Sequence, residues 1–495
     1  MKRIVILTLL SQIFSFPLLS QNVDIPDTAF LNILIELGID TNNDSLISFD
    51  EAKAVTSLDV SGAVDSSYDD EIPLLIGSGW IRDLTGIEAF MNLKSLDCSG
   101  NKLTAIDVSK NVFLEELNCS VHFRLGQSID SLDISSNSEL KSLNCCFTKI
   151  SSLDLTNNPL LESLDCSSTR LMSLDISNNP MITNLRCGFT QIFSLDLSNQ
   201  NELEYLDCDL DDLKDLDISN NSKLVHLRCS RNRLLNLDVS KCPDLSYLDC
   251  HDNDIVNMEV DNNNLLTYLD CRKNNISSLD IASNIFLEFL SCTGNALKNI
   301  DVSNNIQLAH LYCYGNQLSS LDISNNTYLR NLDCGGNQLS SLDVSSNTQL
   351  DTLQCAWYNP LSSLSLCNNT LLKWLNILFL PALDTVYVWE SFTDSVYISS
   401  NHDVIFQEKC VVGYDAYQDL EQMIYPNPTK SYITVELNSP NNTCIEITSL
   451  SGEILSKVIT EGTTTQLDLS QLSKGVYIIR IRSKDNITAE RIIKL

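Results

Sequence analysis

Leu332-Asp333-Cys334-Gly335-Gly336-Asn337-Gln338-Leu339-Ser340-Ser341-Leu342-Asp343-Val344-Ser345-Ser346-Asn347 contains one pattern written twice: apolar, polar, apolar, then asparagine three residues on. Alternation with period two sends Leu332 and Cys334 to one side of an extended chain and Asp333 to the other, and sorts Leu342 and Val344 against Asp343 in the same way. One such unit cannot bury its apolar side alone. The unit recurs, however. Thirteen cysteines, Cys98, Cys119, Cys145, Cys166, Cys187, Cys208, Cys229, Cys250, Cys271, Cys292, Cys313, Cys334 and Cys355, stand 21 residues apart except for the 26 between Cys119 and Cys145. A fixed period of that length marks a solenoid in which each coil covers the apolar face of the next. Each coil is expected to make two short strand passes, with the cysteines pointing inward.

Asparagine follows both passes, at Asn101, Asn232, Asn253, Asn274, Asn295, Asn316 and Asn337 in one column and at Asn111, Asn137, Asn158, Asn221, Asn305 and Asn326 in the other. Its amide satisfies backbone groups where the chain turns, so stacked asparagines are expected to close each turn from inside.

The unit L-x-x-L-x-C-x-x-N-x-L-x-x-L-D-V-S-x-N resembles a bacterial leucine-rich repeat, in the 21-residue form with nested halves of ten and eleven, over more than half of the chain. The resemblance implies a recognition scaffold rather than a catalyst. The expected fold is a mainly β repeat solenoid of short parallel strands, with a small helical N-terminal cap and a C-terminal antiparallel β-sandwich.

The 64 acidic against 32 basic residues give a formal charge of −32, which argues against nucleic acid or an anionic membrane as partner. Residues 1–20 place Lys2 and Arg3 before an apolar run from Ile4 to Leu19 and read as a secretory signal peptide. No later run is long and apolar enough to predict a transmembrane segment. Export permits disulfides. The ladder cysteines nonetheless read as small buried hydrophobes, because stacked thiols do not readily reach disulfide torsion. Cys146, Cys242, Cys367, Cys410 and Cys444 fall off the ladder, and among them a Cys367–Cys410 bridge is the conceivable pair.

Residues 21–57 read as the cap. Phe30, Ile33, Leu34 and Leu37 recur at helical spacing up to Gly38. The following stretch, Asp40 to Glu51, resembles the twelve-residue calcium loop of an EF-hand. Asp40, Asn42 and Asp44 match positions one, three and five, Leu46 supplies a carbonyl, Ser48 stands ninth and Glu51 twelfth. Ser45 stands where that family has glycine, so a left-handed backbone there has to carry a side chain. Calcium is the one cofactor the sequence suggests, with a plain structural cap as the competing reading.

The solenoid is expected over 58–410. Ser57–Ser61 already forms a half-coil, an acidic insertion runs from Asp65 to Glu71, and Ile81–Glu88 resembles the opening coil of leucine-rich repeats. The extra residues after Cys119 are expected to bulge, carrying His122, Phe123 and Arg124 as a possible contact point. Residues 375–377, 386–388 and 396–398 still alternate like terminal strands, and 411–424 reads as a linker.

From 425 to 495 the chain resembles the C-terminal sorting domain of type IX secretion. The resemblance rests on Tyr425-Pro426-Asn427-Pro428, alternating Ile433, Val435 and Leu437, Ser451-Gly452, Lys474-Gly475-Val476-Tyr477 and the terminal Lys494. It implies a small β-sandwich addressed to the secretion machinery, and a protein released from, or held on, the outer surface of a Gram-negative bacterium.

Three residues before successive ladder cysteines stand Tyr205, His226, Tyr247, Tyr268, Phe289 and His310, which are expected to project from the sheet as a stripe six coils long. Tyr312, Tyr314, Arg186, Arg228 and Arg272 lie beside it. Rings with arginine on a charged surface suit a protein or polysaccharide ligand, since rings bury much area at small entropic cost. Cross-strand stacking that merely stiffens the sheet is the bland alternative. The second pass carries a column of acids from Asp107 to Asp343, whose repulsion is expected to be offset by hydrogen bonds from the serines two positions on, or by divalent cations.

No Gly-x-Ser-x-Gly, His-Glu-x-x-His or phosphate-binding glycine loop is present. The sequence therefore predicts a non-enzymatic binding or adhesion scaffold, with a structural surface spacer as the alternative. A hydrolase using an activated ladder cysteine is the third possibility.

Overall fold

The computed structural model describes residues 22–62, 80–121, 128–401, 403–408 and 410, then 422–425, 429–437, 443–449, 454–460, 462–482 and 487–494. The signal peptide, the 65–71 insertion, His122 to Arg124, the 411–421 part of the linker, Pro426 to Pro428 and Ser451-Gly452 lie outside these. The chain divides into two units, one essentially the solenoid and one containing the C-terminal domain.

The cap begins with helix α1, Thr28–Glu36, whose N-terminal amides on Ala29 and Phe30 are taken by the Asp27 carboxylate. Helix α2, Phe49–Ala54, opens with a capping box between Ser48 and Glu51. Phe30 and Leu34 are fully buried beneath them.

Sixteen short parallel strands, from Ser57–Asp59 to Tyr397–Ser399, form one sheet in sequential order except where the chain crosses to the other side of a coil. Every strand pairs with the next at the equivalent residue, as Leu206 with Leu227 and Leu227 with Leu248. The reason is arithmetic. A strict 21-residue period returns each leucine and each cysteine to the same place one layer on, and only that register buries both. All thirteen ladder cysteines are buried, and the backbone N–H of one donates to the next coil, as Cys229 to the Asp249 carbonyl at 2.9 Å.

The second pass differs from expectation. Among the described residues it pairs as strand only at Met258–Glu259 with Leu279–Asp280 and in the terminal set Ser363–Ser365, Thr385–Tyr387 and Ile405–Gln407. Elsewhere side chains take over the backbone groups that a ladder would use. The acid column accepts from the amide two residues on, as Asp107 from Ser109 at 2.9 Å and Asp322 from Ser324 at 3.0 Å. These contacts, from serine or, at Asp154, from Thr156, hold Asp107, Asp133, Asp154, Asp175, Asp196, Asp217, Asp238, Asp301, Asp322 and Asp343 below the usual carboxylate range.

Both asparagine columns lie in the core. Asn253 is satisfied at both ends, donating to the Cys229 and Cys250 carbonyls at 3.0 Å each and accepting from Leu234 N–H at 3.0 Å. The other column is longer than its six expected members, continuing through Asn179, Gln200, Asn263, Asn284, Asn347 and Asn369. Cys242 belongs to it. Its thiol faces the Ile218 and Asn221 carbonyls at 3.9 and 3.5 Å, the contacts an asparagine amide makes in neighbouring coils. Sixteen cysteines are free, and Cys367 and Cys410 are disulfide-bonded.

The C-terminal unit contains two antiparallel sheets. One joins Gln422–Tyr425, Tyr432–Leu437 and Thr464–Asp468; the other joins Ile454–Thr460, Thr443–Thr448, Gly475–Arg482 and Ile487–Lys494. Ile433, Val435, Ile445, Ile447, Leu467, Ile479 and Ile492 fill its core, and the Tyr477 hydroxyl donates to the Ser473 carbonyl at 2.8 Å. Lys494, singled out by the sequence, donates to the Lys430 carbonyl.

Candidate functional site

The register that aligns the leucines also aligns the residues before them. Tyr205, His226, Tyr247, Tyr268, Phe289 and His310 are successive partners across the cysteine sheet. Neighbouring strands stand roughly 4.8 Å apart, slightly more than the contact distance of two flat rings, so rings in one column close up by leaning together. Centroid separations are 4.4 Å for Tyr205–His226, 4.0 Å for His226–Tyr247, 4.2 Å for Tyr247–Tyr268 and 4.3 Å for Tyr268–Phe289, with planes 7–12° apart.

This stacking decides what the stripe offers. Five rings use their faces on one another and present their edges. At the first end the Arg186 guanidinium covers Tyr205 at 4.9 Å. At the other the stack breaks: His310 is tilted 41° to Phe289 at 6.1 Å, and Tyr312 meets Phe289 at 5.5 Å and 47°. Tyr314 packs along Gly335, where a Cβ would come within 3.0 Å of its ring.

Beside the stripe lies a charged row. Arg228 reaches Asp209 at 2.7 Å, Asp207 at 3.6 Å and Asp249 at 3.9 Å, while Arg272 reaches Asp270 at 3.3 Å. Asp209, Asp211, Asp249 and Asp270 are all buried. Burial raises the pKa of Asp209, with Asp207 adding to it, and the nearby Arg228 does not cancel this. Burial pushes Asp211 up to about 7 and Asp333 to about 6. His226 moves the other way: burial, then Arg228 and Arg186, lower it to about 4, so the ring stacks as neutral imidazole at neutral pH.

The structure thus gathers the stripe, Tyr312, Arg186, Arg228 and Arg272 on one face. The N-terminal loop stands apart. Its Ser45 is left-handed, φ 65°, as the sixth position of the loop requires. Its oxygens, however, point at the loop's own donors. Glu51 Oε1 accepts from Thr41 N and Oγ1, and Oε2 from Ser48 N and Oγ, at 2.7–2.9 Å. Asp40 accepts from Asp44 and Ser45, Asn42 from Asp44, and Asp44 from Leu46. Burial works to raise Glu51, but the Ser48 and Thr41 bonds prevail and hold it at about 2.

Sequence reasoning missed Asp209, Asp211, Asp249, His251 and Asp270. Alternation assigns Asp249 and Asp270 to the outer face, where carboxylates are usually wet. In the structure both are buried, with Arg228 3.9 Å from Asp249 and Arg272 3.3 Å from Asp270.

Comparison with known proteins agrees with this geometry. Residues 423–495 match the family described as secretion system C-terminal sorting domain. No curated protein matches the sequence. Among solved structures, the functional domain of InlJ from Listeria monocytogenes, described as including a cysteine ladder, aligns with TM-score 0.65 and 24% identity, covering 96% of this chain and 100% of that one. An internalin, InlF, from the same organism gives TM-score 0.56 and 21% identity over 75% of this chain and 98% of its own. A leucine-rich repeat protein of Leptospira interrogans gives 0.58 and 19% over 71% and 97%.

The fold is therefore that of the leucine-rich repeat solenoids. The chain joins a solenoid of the leucine-rich repeat fold to a type IX secretion sorting domain, which marks it for export to the cell surface or the extracellular space. No helix among the described residues is long and apolar enough to cross a membrane.

Proposed function

We propose that the protein is an exported binding scaffold that recognises a protein ligand through the aromatic face of its cysteine sheet. The observation that carries this reading is the stack from Tyr205 to Phe289, flanked by the Arg228 and Arg272 clusters. Stacked rings have no free faces on which a sugar can lie, whereas a row of edges and hydroxyls beside fixed charges suits an irregular protein surface. A polysaccharide ligand is thereby disfavoured. The InlJ and internalin likenesses support a binding scaffold at the level of fold. A spacer without a ligand has no use for a face on which buried carboxylates are left to arginine pairing. Nor does this reading give the ladder thiols a catalytic part, since burial raises their pKa and suppresses thiolate. An array of extracellular proteins and polysaccharides, probed with the mature chain and with its Y247A/Y268A/F289A variant, tests the reading. Protein features captured by the first and lost by the second support it. Equal capture by both, or capture of polysaccharides alone, overturns it.

A second reading concerns calcium at Asp40, Asn42, Asp44, Leu46, Ser48 and Glu51, favoured by the left-handed Ser45. It requires Glu51 to exchange its Thr41 and Ser48 bonds for the ion. Addition of calcium to EDTA-stripped protein then raises the melting temperature of the wild type and leaves E51Q unmoved. No rise in the wild type removes the reading.

A further inference from the structure

Asp249, His251 and Asp270 lie on adjacent coils of the face just described, and each offers a donor atom within 4.8 Å of the other two. They are the only such trio of His, Cys, Asp or Glu among the described residues. All three are buried, at 5%, 6% and 1% exposed. His251 Nδ1 sits 2.5 Å from Asp249 Oδ1, and Nε2, 3.8 Å from the nearest Asp252 carboxylate oxygen, has no hydrogen-bond partner.

That orphaned nitrogen is an independent pointer. A buried imidazole normally satisfies both ring nitrogens, since leaving one bare costs about 1–3 kcal/mol. Outside the Asn and Gln ladder, the described buried side-chain atoms without a partner are Asp211 Oδ2, His226 Nε2, Arg228 Nε and His251 Nε2. Three of these four, His226 Nε2, Arg228 Nε and His251 Nε2, fall on this one face, on or just after two adjacent strands of the cysteine sheet. Two carboxylates and an imidazole form a donor set of hard oxygen with borderline nitrogen, which suits zinc and its divalent neighbours better than calcium or magnesium.

We propose that Asp249, His251 and Asp270 bind a divalent transition metal ion of the zinc type. Arg272 is the group it displaces. Its guanidinium is 3.3 Å from Asp270 Oδ2, and its side chain, 41% exposed, is free to turn out to solvent. The ion then takes over as counter-charge to Asp270. The three protein donors leave a coordination position beside Tyr247 and Tyr268 for water or for a carboxylate of a bound partner.

The test uses the full mature chain, made without a histidine tag and stripped with EDTA, titrated with Zn²⁺ by calorimetry and with Co²⁺ by visible absorption. One equivalent is expected to bind. H251Q and D270N should weaken it at least about tenfold, and R272A should tighten it. Zinc-edge X-ray absorption on the unmutated protein provides a readout that no folding defect can confuse, and it should show imidazole nitrogen and oxygen without sulfur. No bound equivalent, equal binding by wild type and H251Q, or a sulfur-containing shell would overturn the proposal.

Discussion

The imidazole of His226 lies flat on the ring of Tyr247, centroids 4.0 Å and planes 7° apart, with Tyr205 on its other face at 4.4 Å. A protonated ring there would sit against Arg228 and Arg186, which is why burial and those cations lower its pKa to about 4. The unfolded chain takes up this proton near 6.5, so between about 6.5 and 4 it holds more protons than the folded one, and stability falls as pH drops through that window. The ring is only partly buried, so solvent screening limits the effect to about 1 kcal/mol. H226F keeps the stack and loses the titration. Denaturant melts at pH 7 and pH 4.5 should show the wild type losing about 1 kcal/mol more than H226F between the two.

Asp211 has the opposite sign. Burial raises it to about 7, while Thr190 N and Oγ1 hold its Oδ1 at 2.9 and 2.7 Å. A raised carboxylate stabilises the fold while protonated, and that contribution is lost as pH climbs from about 4 through 7. D211N retains an oxygen for Thr190 and cannot ionise. It should therefore gain about 1–2 kcal/mol on the wild type between pH 5 and pH 8, read from melts at the two values.

The internal ladder makes a further prediction through Asn326, whose amide donates to Val302 O at 3.0 Å and Asn305 O at 2.8 Å. N326A removes both bonds and leaves the Val302 and Asn305 carbonyls with only their own turn amides, Asn305 N–H at 3.1 Å and Leu308 N–H at 3.0 Å, a loss of about 1–3 kcal/mol. C242N works in reverse. The weak thiol donor gives way to an amide in a position built for one, and the fold should gain about 1 kcal/mol. Thermal melts of both variants decide the matter, and a destabilised C242N would contradict the shared role of the column.

Thiol chemistry checks the stacking itself. Of the sixteen free cysteines, Cys146 and Cys444 are partly exposed and the rest are buried. Burial raises Cys292 to about 12 and holds Cys229 and Cys250 well above their ordinary value. A thiol reagent at pH 8 should label at most those two in the native protein and all sixteen after denaturation. Rapid native labelling of any ladder cysteine would place it outside the core.

Much of this was legible in the chain because strict periodicity converts sequence position into spatial column. The cysteine spacing gave the sheet and its register, and the residue three before each cysteine gave the stripe. Alternation could not tell a strand from an extended pass whose amides are taken by side chains, so two strand passes were expected in every coil, although the serine hydrogen bonds to the acid column, such as Ser109 to Asp107, were expected correctly. Cys242 was hidden for a related reason, since residue type suggested a stray thiol while its column is that of Asn221 and Asn263. The Asp249, His251 and Asp270 group was invisible because its members belong to different columns, which meet only when coils are laid side by side.

The central claim is that ligand capture resides on the aromatic face of the cysteine sheet. The most direct measurement is the affinity of an array-identified protein ligand for the intact chain, for Y247A/Y268A/F289A, and for D154N/D175N/D196N on the opposite pass, by calorimetry at fixed salt. The account predicts at least a hundredfold loss for the first variant, about 2.7 kcal/mol, and less than a twofold change for the second. Equal affinities for all three, or a loss confined to the acid column, would contradict it.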